Sequence, residues 1–253
     1  MLATERRSRI LELLAVRRIA STEDLADELN VSVETIRRDI NSLHSKHALH
    51  RVRGGAAAAA SISTEPIFED RRTMNQTAKD TIAALAVRLV RPGQTIFLDI
   101  GTTAVQVARA LAPDFHGVVA TSSLLVAGEL AGRSTIEVLV SGGRVRGGDL
   151  SCSNAQSAAF FASLNADIAF VSSGGVDAEA GLTDYHLDEV ATRLQMLARA
   201  RSRYVLADSS KFGVVAPYRV CDWPEIDGLI SERRPSPPLH QAITTGGGRI
   251  ITE

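Results

Sequence analysis

The chain of 253 residues contains few cysteines, few aromatic residues and no long apolar run. Its two cysteines, Cys152 and Cys221, are far apart and lack a C-x-x-C spacing, which argues against a disulfide scaffold or a zinc site. No segment approaches the ~20 apolar residues of a membrane span, and the charged residues 1–10 lack the apolar run of a signal peptide. These absences predict a soluble, cytoplasmic protein with no metal, no cofactor and no membrane partner.

The composition predicts a core that is mainly aliphatic, because 45% of the residues are hydrophobic and only 4% are aromatic. Residues 1–60 contain ten Lys and Arg against eight Asp and Glu, so the remainder of the chain has a net charge of −3. A weakly basic N-terminal region followed by a weakly acidic remainder is suited to local contact with phosphates. It does not predict a chain coated in nucleic acid.

Residues 21–43 have the pattern of two short helices joined by a tight turn. Ser21 can cap the first helix, Asn30 suits the left-handed turn that ends it, and Ser32 can cap the second helix. Three aliphatic residues then recur at helical spacing and must face a core, namely Ile36, Ile40 and Leu43. The opposite face of this second helix carries hydroxyl, guanidinium and amide groups, which is typical of a helix-turn-helix, here about Ala20 to Asp39.

A short basic run with a glycine turn follows at residues 50–55 and predicts a β-wing against the sugar-phosphate backbone. In this interpretation the arginines contact phosphates, Thr35 and Asn41 approach base edges, and Ser32 caps the helix or touches phosphate. The alternative is an ordinary helical hairpin with solvated charges. The predicted DNA-binding residues are Ser32, Thr35, Arg37, Arg38, Asn41, Arg51 and Arg53.

Beyond residue 74, apolar runs of strand length alternate with amphipathic helices. The predicted strands are 95–100, 118–121, 136–140, 168–171 and 204–207, with a further short one at 228–230. Such alternation is typical of a mostly parallel sheet covered on both faces. We therefore predict an α/β protein, with a winged helix-turn-helix domain at 1–57, a linker at 58–73 and a Rossmann-like sensor domain at 74–253.

Small polar residues follow each of five predicted strands. Because ligands bind at the carboxyl ends of parallel strands, beside helix N-termini, these turns predict a site for an anion such as phosphate, with a lysine as counter-charge. The alternative for each turn is a plain connection, where Gly, Ser, Thr and Asp are favoured anyway. The predicted effector-binding residues are Asp99, Gly101, Thr102, Thr103, Thr121, Ser122, Ser123, Gly142, Gly143, Gly174, Asp177, Glu189 and Lys211.

Several motifs resemble those of DeoR-family bacterial transcriptional regulators, namely V-S-x-x-T-I-R-R-D-I, R-V-R-G-G-A, D-x-G-T-T and D-S-S-K-F-G. The sensor domain of that family is similar to ribose-5-phosphate isomerase. The resemblance implies a repressor of a sugar-metabolism operon that is controlled by a phosphorylated sugar. The small DNA-reading unit also predicts a homodimer or homotetramer on a double-stranded operator with repeated half-sites.

The competing hypothesis is an enzyme, a sugar-phosphate isomerase with an appended DNA-binding domain. Acidic and basic groups near the predicted turns could transfer a proton beside a carbonyl. The sequence has no metal motif and no activated nucleophile, so we predict a regulator without catalytic residues. The acid–base candidates of the competing hypothesis are Asp99, Asp177, Asp184, Glu189 and Lys211.

Overall fold

The computed structural model describes residues 1–17, 19–44, 49–52, 54–58, 65 and 67–253. Internal contacts divide the chain into two units, Met1–Thr64 and Glu65–Glu253. Of the predicted linker 58–73, residues 59–64 and 66 lie outside the described residues, and residues 68–73 form a short helix of the second unit. Within the described ranges, no helix is long and apolar enough to cross a membrane.

The first unit is a winged helix. Its elements are α1 (Ala3–Arg17), β1 (Ile19–Ser21), α2 (Thr22–Leu29), α3 (Val33–His44), β2 (Leu49–Val52) and β3 (Gly55–Ala58). The three strands form an antiparallel sheet in the order β1-β3-β2.

The predicted caps of the two short helices are confirmed. The Ser21 hydroxyl accepts a hydrogen bond from the Asp24 N–H at 2.9 Å, and the Ser32 hydroxyl accepts one from the Thr35 N–H at 3.2 Å. Asn30 ends α2 in the left-handed conformation, with φ 49° and ψ 53°. The three aliphatic residues of α3 are buried in the core of the unit, as their spacing predicts; they are Ile36, Ile40 and Leu43.

The second unit is an α/β domain. Its elements are α4 (Phe68–Thr73), α5 (Gln76–Val87), β4 (Thr95–Leu98), α6 (Thr102–Ala110), β5 (Gly117–Thr121), α7 (Leu124–Leu130), β6 (Ile136–Val140), α8 (Ala155–Ala162), β7 (Ala166–Ser172), β8 (Gly175–Asp177), β9 (Gly181–Asp184), α9 (Leu187–Arg199), β10 (Ala200–Leu206), β11 (Tyr218–Cys221), β12 (Gly228–Ile230), α10 (Pro237–Thr245) and β13 (Arg249–Ile251).

Seven strands form one sheet in the order β13-β12-β10-β7-β4-β5-β6, and every pair in it is parallel. Hydrophobic clusters cover both faces, so the predicted fold class is confirmed. From β4 the chain adds β5 and β6 on one side, and β7, β10, β12 and β13 follow on the other. The sheet therefore has its topological switch point between β4 and β7, where ligands bind in folds of this kind.

Three features of this unit do not follow from the sequence patterns. The first is a small antiparallel sheet in the order β11-β9-β8. The other two are α10 and β13, and β13 is the edge strand of the main sheet beside β12. The strands involved are only three or four residues long, and β11 joins β9 across more than thirty residues. Short strands with distant partners give little local periodicity to detect.

Candidate functional site

The outward face of α3 is the candidate DNA interface. Arg37, Arg38 and Asn41 are exposed there, on the side opposite the buried aliphatic residues. Arg37 keeps 60% of its side chain exposed and lies 3.8 Å from Glu34, so this ion pair is loose and its charge remains accessible. Thr35 is half-buried, and its hydroxyl lies 2.8 Å from the Ser32 hydroxyl. The predicted residues of α3 therefore share one face, with Ser32 and Thr35 at its N-terminal end.

A buried carboxylate joins this helix to α1. Asp39 is 2% exposed, and its two oxygens accept hydrogen bonds from Arg6 at 2.6 Å and Arg7 at 2.7 Å. The acidic residue beside Arg38 therefore points into the unit and is already paired with two arginines. Its charge does not compete with DNA phosphates for Arg37 or Arg38.

The wing follows α3 as predicted. Arg51 is exposed on β2, whereas Arg53 lies outside the described residues. Gly55 is the first residue of β3 and pairs with Ser21 of β1. A Cβ atom at this position would lie only 2.1 Å from the Ala20 carbonyl oxygen, so the close pairing of the two strands requires glycine. Thr22 fixes the turn, because both its N–H and its hydroxyl donate to the Gly54 carbonyl, at 2.8 and 2.9 Å.

The candidate effector site lies at the carboxyl edge of the parallel sheet. Asp99 follows β4 at the switch point, and its carboxylate accepts a hydrogen bond from the Ser172 N–H at the end of β7, at 2.9 Å. Gly101 adopts a φ of 99° that disfavours a side chain, and α6 then begins at Thr102. Thr102 is buried and Thr103 half-buried. The first turn of α6 thus faces the crevice between β4 and β7.

Arg193 on α9 lies at the centre of a group of carboxylates at this edge of the sheet. It is not among the residues predicted from the sequence. It is 2% exposed, with Nε 2.5 Å from Asp99 Oδ2, Nη1 2.5 Å from Asp184 Oδ2 and Nη2 3.1 Å from Glu189 Oε2. We call Asp99, Asp184, Glu189 and Arg193 the buried cluster. A Glu and an Arg four residues apart on a helix are detectable in the sequence, but the pattern is equally typical of an exposed ion pair.

Burial acts to raise the pKa values of Glu189 and Asp184, and the neighbouring arginines act to lower them. Burial raises the pKa of Glu189 to about 8, and Asp184 adds to that effect, although Arg193 and Arg146 oppose it. Burial also acts to raise the pKa of Asp184, but Arg193 and the N–H groups of His186 and Tyr185 hold that pKa below its usual value. The two carboxylates therefore differ in proton affinity, and Glu189 holds a proton more readily.

Residues 141–154, which we call the covering segment, lie over the ends of β5 and β6. The Cys152 N–H donates to the Ser122 carbonyl at 2.8 Å, and the Leu124 N–H donates to the Leu150 carbonyl at 3.1 Å. Arg146 connects the segment to α9, because its guanidinium pairs with both Asp149 and Glu189. The segment therefore closes against the buried cluster.

The predicted turn at Thr121, Ser122 and Ser123 is covered, since all three residues are 0% exposed. The Thr121 hydroxyl accepts the Ser123 N–H at 3.0 Å, and the Ser123 hydroxyl caps α7 by accepting the Val126 N–H at 3.2 Å. Among the described residues, the Ser122 hydroxyl has no hydrogen-bond partner. Two of the three hydroxyls thus have local structural roles, and contact with a ligand would require the covering segment to move.

The remaining predicted residues occupy different environments. Gly142 and Gly143 begin the covering segment with positive φ, and Gly174 is buried beyond the end of β7. Asp177 lies in the hairpin between β8 and β9, where its carboxylate accepts the N–H groups of Glu179 and Ala180. Asp177 therefore belongs to the small antiparallel sheet and lies outside the buried cluster.

Lys211 lies in a short 3₁₀ turn after β10 and is half-buried. Burial lowers its pKa, and nearby Arg71 acts in the same direction against the opposing charges of Asp208, Glu65 and Asp184. A cavity of about 690 Å³ opens beside this turn at the N-terminus of α5. It is lined by Thr73, Asn75, Gln76, Thr77, Ala78, Ser209, Ser210, Glu232 and Arg233.

Both units match known protein families. A DeoR-like helix-turn-helix domain matches residues 6–62, and the DeoR C-terminal sensor domain matches residues 74–233. The HTH-type transcriptional repressor CsqR of Escherichia coli (strain K12) is 32% identical over 246 residues, which cover 97% of this chain and 94% of that protein. The Glycerol-3-phosphate regulon repressor of the same strain is 29% identical over 244 residues, 96% of each chain.

Among solved structures, ribose 5-phosphate isomerase A from Methanocaldococcus jannaschii aligns with 53% of each chain, at a TM-score of 0.40 and 20% identity.

Proposed function

The chain belongs to the DeoR family of DNA-binding transcriptional regulators, and from that membership we propose that a phosphorylated sugar bound in its sensor unit controls binding of its winged helix to an operator. The observation that carries the proposal is the presence in one chain of two parts. One is a helix with an exposed cationic face, and the other is a parallel sheet whose polar turns meet at a switch point.

The DNA half of the proposal is supported by the exposure of α3. Arg37 and Arg38 are exposed and can attract phosphates, and we expect the exposed amide of Asn41 to read a base edge in the major groove. We expect Arg51, which is exposed on β2, to contact the backbone beside the same groove. Arg53 has the same expected role from the sequence, as has Ser32 at the start of α3.

The sensor half is supported by the chemistry of the carboxyl edge. The N-terminus of α6, the hydroxyls of Thr102 and Thr103 and the ammonium of Lys211 suit a phosphate group. Carboxylates such as Asp99 suit the hydroxyls of a sugar. One relative at 29% identity is named for glycerol 3-phosphate, itself a phosphate ester of a polyol, which supports this class of effector and a role in repression of a sugar-metabolism operon.

We also propose a homodimer or homotetramer on repeated half-sites. A winged helix of fewer than 65 residues presents one recognition helix, and a single helix reads only a few base pairs. Two copies related by symmetry would double the contacts and fix the spacing of the half-sites.

The isomerase alternative has no comparable support. The relatives are named as regulators and repressors, in agreement with the interpretation of this chain as a regulator. Three of the five acid–base candidates, Asp99, Asp184 and Glu189, are at most 4% exposed and are paired with Arg193. A general base must reach the proton that it removes, and these groups are already engaged.

The DNA half can be tested with the double variant Arg37→Ala/Arg38→Ala. Each phosphate contact contributes about −0.9 to the slope of log Kobs against log salt, so the variant should lose affinity for its operator and its slope should be shallower by about 2. Arg9→Ala is the matched control, because Arg9 is an exposed arginine of the same unit that pairs with Glu12 on α1. Equal slopes for the double variant and the wild type would contradict this use of α3.

A further inference from the structure

The carboxylate of Glu65 lies between the side chains of Arg71 and His186 in the sensor unit. Glu65 Oε1 lies 2.9 Å from Arg71 Nη1, with both side chains 18% exposed, and Glu65 Oε2 lies 3.4 Å from His186 Nε2. Glu65 is also the first residue of the sensor unit, directly after residues 59–64 that follow the winged helix in sequence. We call Glu65, Arg71 and His186 the clasp.

The clasp adjoins the buried cluster. The N–H groups of Tyr185 and His186 donate to Asp184 Oδ1 at 2.7 and 3.1 Å, and the other oxygen of Asp184 pairs with Arg193. Burial lowers the pKa of Lys211 and Arg71 acts in the same direction, whereas the charges of Glu65 and Asp184 oppose them. Arg71 pairs directly with one oxygen of the Glu65 carboxylate, and His186 lies beside the other oxygen.

The arginine of the clasp is fixed by the backbone. The ammonium of the buried Lys79 on α5 donates to the carbonyl oxygens of Arg71 and Met74, and to the latter at 2.6 Å. These bonds hold the end of α4 on the sensor unit independently of Glu65. The carboxylate of Glu65 can therefore leave Arg71 without removing Arg71 from the site.

We propose that Glu65 is a built-in competitor for the anionic group of the effector. The inference rests on the proposed function of the sensor unit. In the absence of ligand, the Glu65 carboxylate neutralises Arg71 and also favours the charged form of Lys211. A phosphate monoester binds the same cations, displaces Glu65 and so alters the residue through which the sensor unit continues into the winged helix.

Charge and geometry favour the phosphate in this exchange. A phosphate monoester carries up to two negative charges and three acceptor oxygens, against one charge and two oxygens for Glu65. Arginine binds phosphate through two parallel hydrogen bonds, and lysine adds a point charge. Because the ligand prefers the state in which Glu65 is displaced, its binding shifts the population of that state, as coupling to DNA affinity requires.

The test uses the full chain and measures binding of inorganic phosphate and of a panel of pentose and hexose phosphates by calorimetry. Glu65→Gln removes the competing charge and keeps the shape, so anion affinity should rise about tenfold. Arg71→Gln removes a ligand-binding cation, so affinity should fall. Glu69→Gln is the control, because Glu69 is an exposed glutamate of α4 that pairs with the exposed Arg72, and its affinity should equal that of the wild type.

Operator affinity gives the second readout. Ligand-free Glu65→Gln should bind the operator as the wild type does when saturated with its phosphate ester, whereas Glu69→Gln should bind as the ligand-free wild type does. A merely structural Glu65 would leave anion affinity unchanged or lower it. That result, with phosphate binding intact in the wild type, would overturn the clasp alone. Absence of anion binding in the wild type would overturn both the clasp and the proposed effector.

Discussion

At the scale of single residues, Arg193 determines how the sensor site is arranged. Its guanidinium is shared by three carboxylates on three elements, the end of β4, the end of β9 and the first turn of α9. The net stability of such a buried set is small, because the cost of dehydrating the ions offsets their attraction. Removing Arg193 has a much larger effect, since Asp99 and Asp184 then remain buried without an ion-pair partner among the described residues.

Replacement of Arg193 by methionine should therefore destabilise the sensor unit. Asp99 and Asp184 would stay buried without this cation, whereas Glu189 keeps Arg146, and a loss of about 3–5 kcal/mol in the free energy of unfolding is expected. Urea unfolding monitored by the fluorescence of Trp223, the only tryptophan of the chain, reports on this unit. Arg199→Met on the exposed side of the same helix is the control, and equal losses in both variants would contradict the role of the cluster.

The pKa of Glu189 predicts a pH dependence of the same free energy. Burial raises this pKa from 4.5 to about 8, so between those values the folded sensor retains a proton that the unfolded chain has lost. The contribution to stability is present at low pH and is lost as the pH rises towards 8. Glu189→Gln keeps the shape without the titration.

The unfolding free energy of the wild type should therefore fall more steeply than that of Glu189→Gln between pH 5 and pH 8, as measured by urea unfolding at each pH. Parallel curves for the two proteins would show that Glu189 titrates normally in the folded state.

At the scale of elements, the covering segment determines access to the carboxyl edge. Its contacts with Ser122 and Leu124 bury the predicted turn after β5, and Arg146 ties it to Glu189 on α9. Cys152, in the same segment, is 1% exposed, and burial raises the pKa of its thiol. The reactivity of this thiol is therefore a direct measure of how often the segment opens.

Arg146→Gln should increase that reactivity. Loss of the charged bonds to Asp149 and Glu189 should favour opening by roughly 1.4 kcal/mol, about tenfold in the rate of alkylation of Cys152. Mass spectrometry of the peptides separates Cys152 from Cys221, whose pKa burial raises to about 12 and whose rate should not change. Arg144→Gln, at an exposed position of the segment, is the control. Unchanged labelling of Cys152 in Arg146→Gln would contradict this role of Arg146 in holding the covering segment.

The helices and parallel strands could be predicted because their signals are local. Ser21, Asn30 and Ser32 act within three residues of themselves, and apolar strands show as uninterrupted runs. The antiparallel sheet of β8, β9 and β11 could not be predicted, because its short strands depend on a partner that is distant in sequence. Charged residues in the core were also missed. Arg193 and Arg146 have the sequence pattern of surface residues, and only the tertiary fold gives them buried partners.

At the scale of the whole molecule, the chain joins a unit that can read DNA to a unit that can bind an anion. The residues predicted to bind the effector do not all lie together. The structure gathers Asp99 and Glu189 in one cluster and keeps Asp177 in a separate hairpin. Their roles in binding an effector remain predictions, as do those of Gly101, Thr102, Thr103 and Lys211.

The central claim is that a phosphorylated sugar controls operator binding, and one measurement tests it most directly. The affinity of the full chain for DNA fragments from beside its own gene would be measured by fluorescence anisotropy, with and without each member of a panel of sugar phosphates. We expect sequence-specific binding whose affinity changes by 5- to 150-fold with one phosphate ester and not with the matching unphosphorylated sugar. Specific binding that no phosphate ester changes would contradict the account.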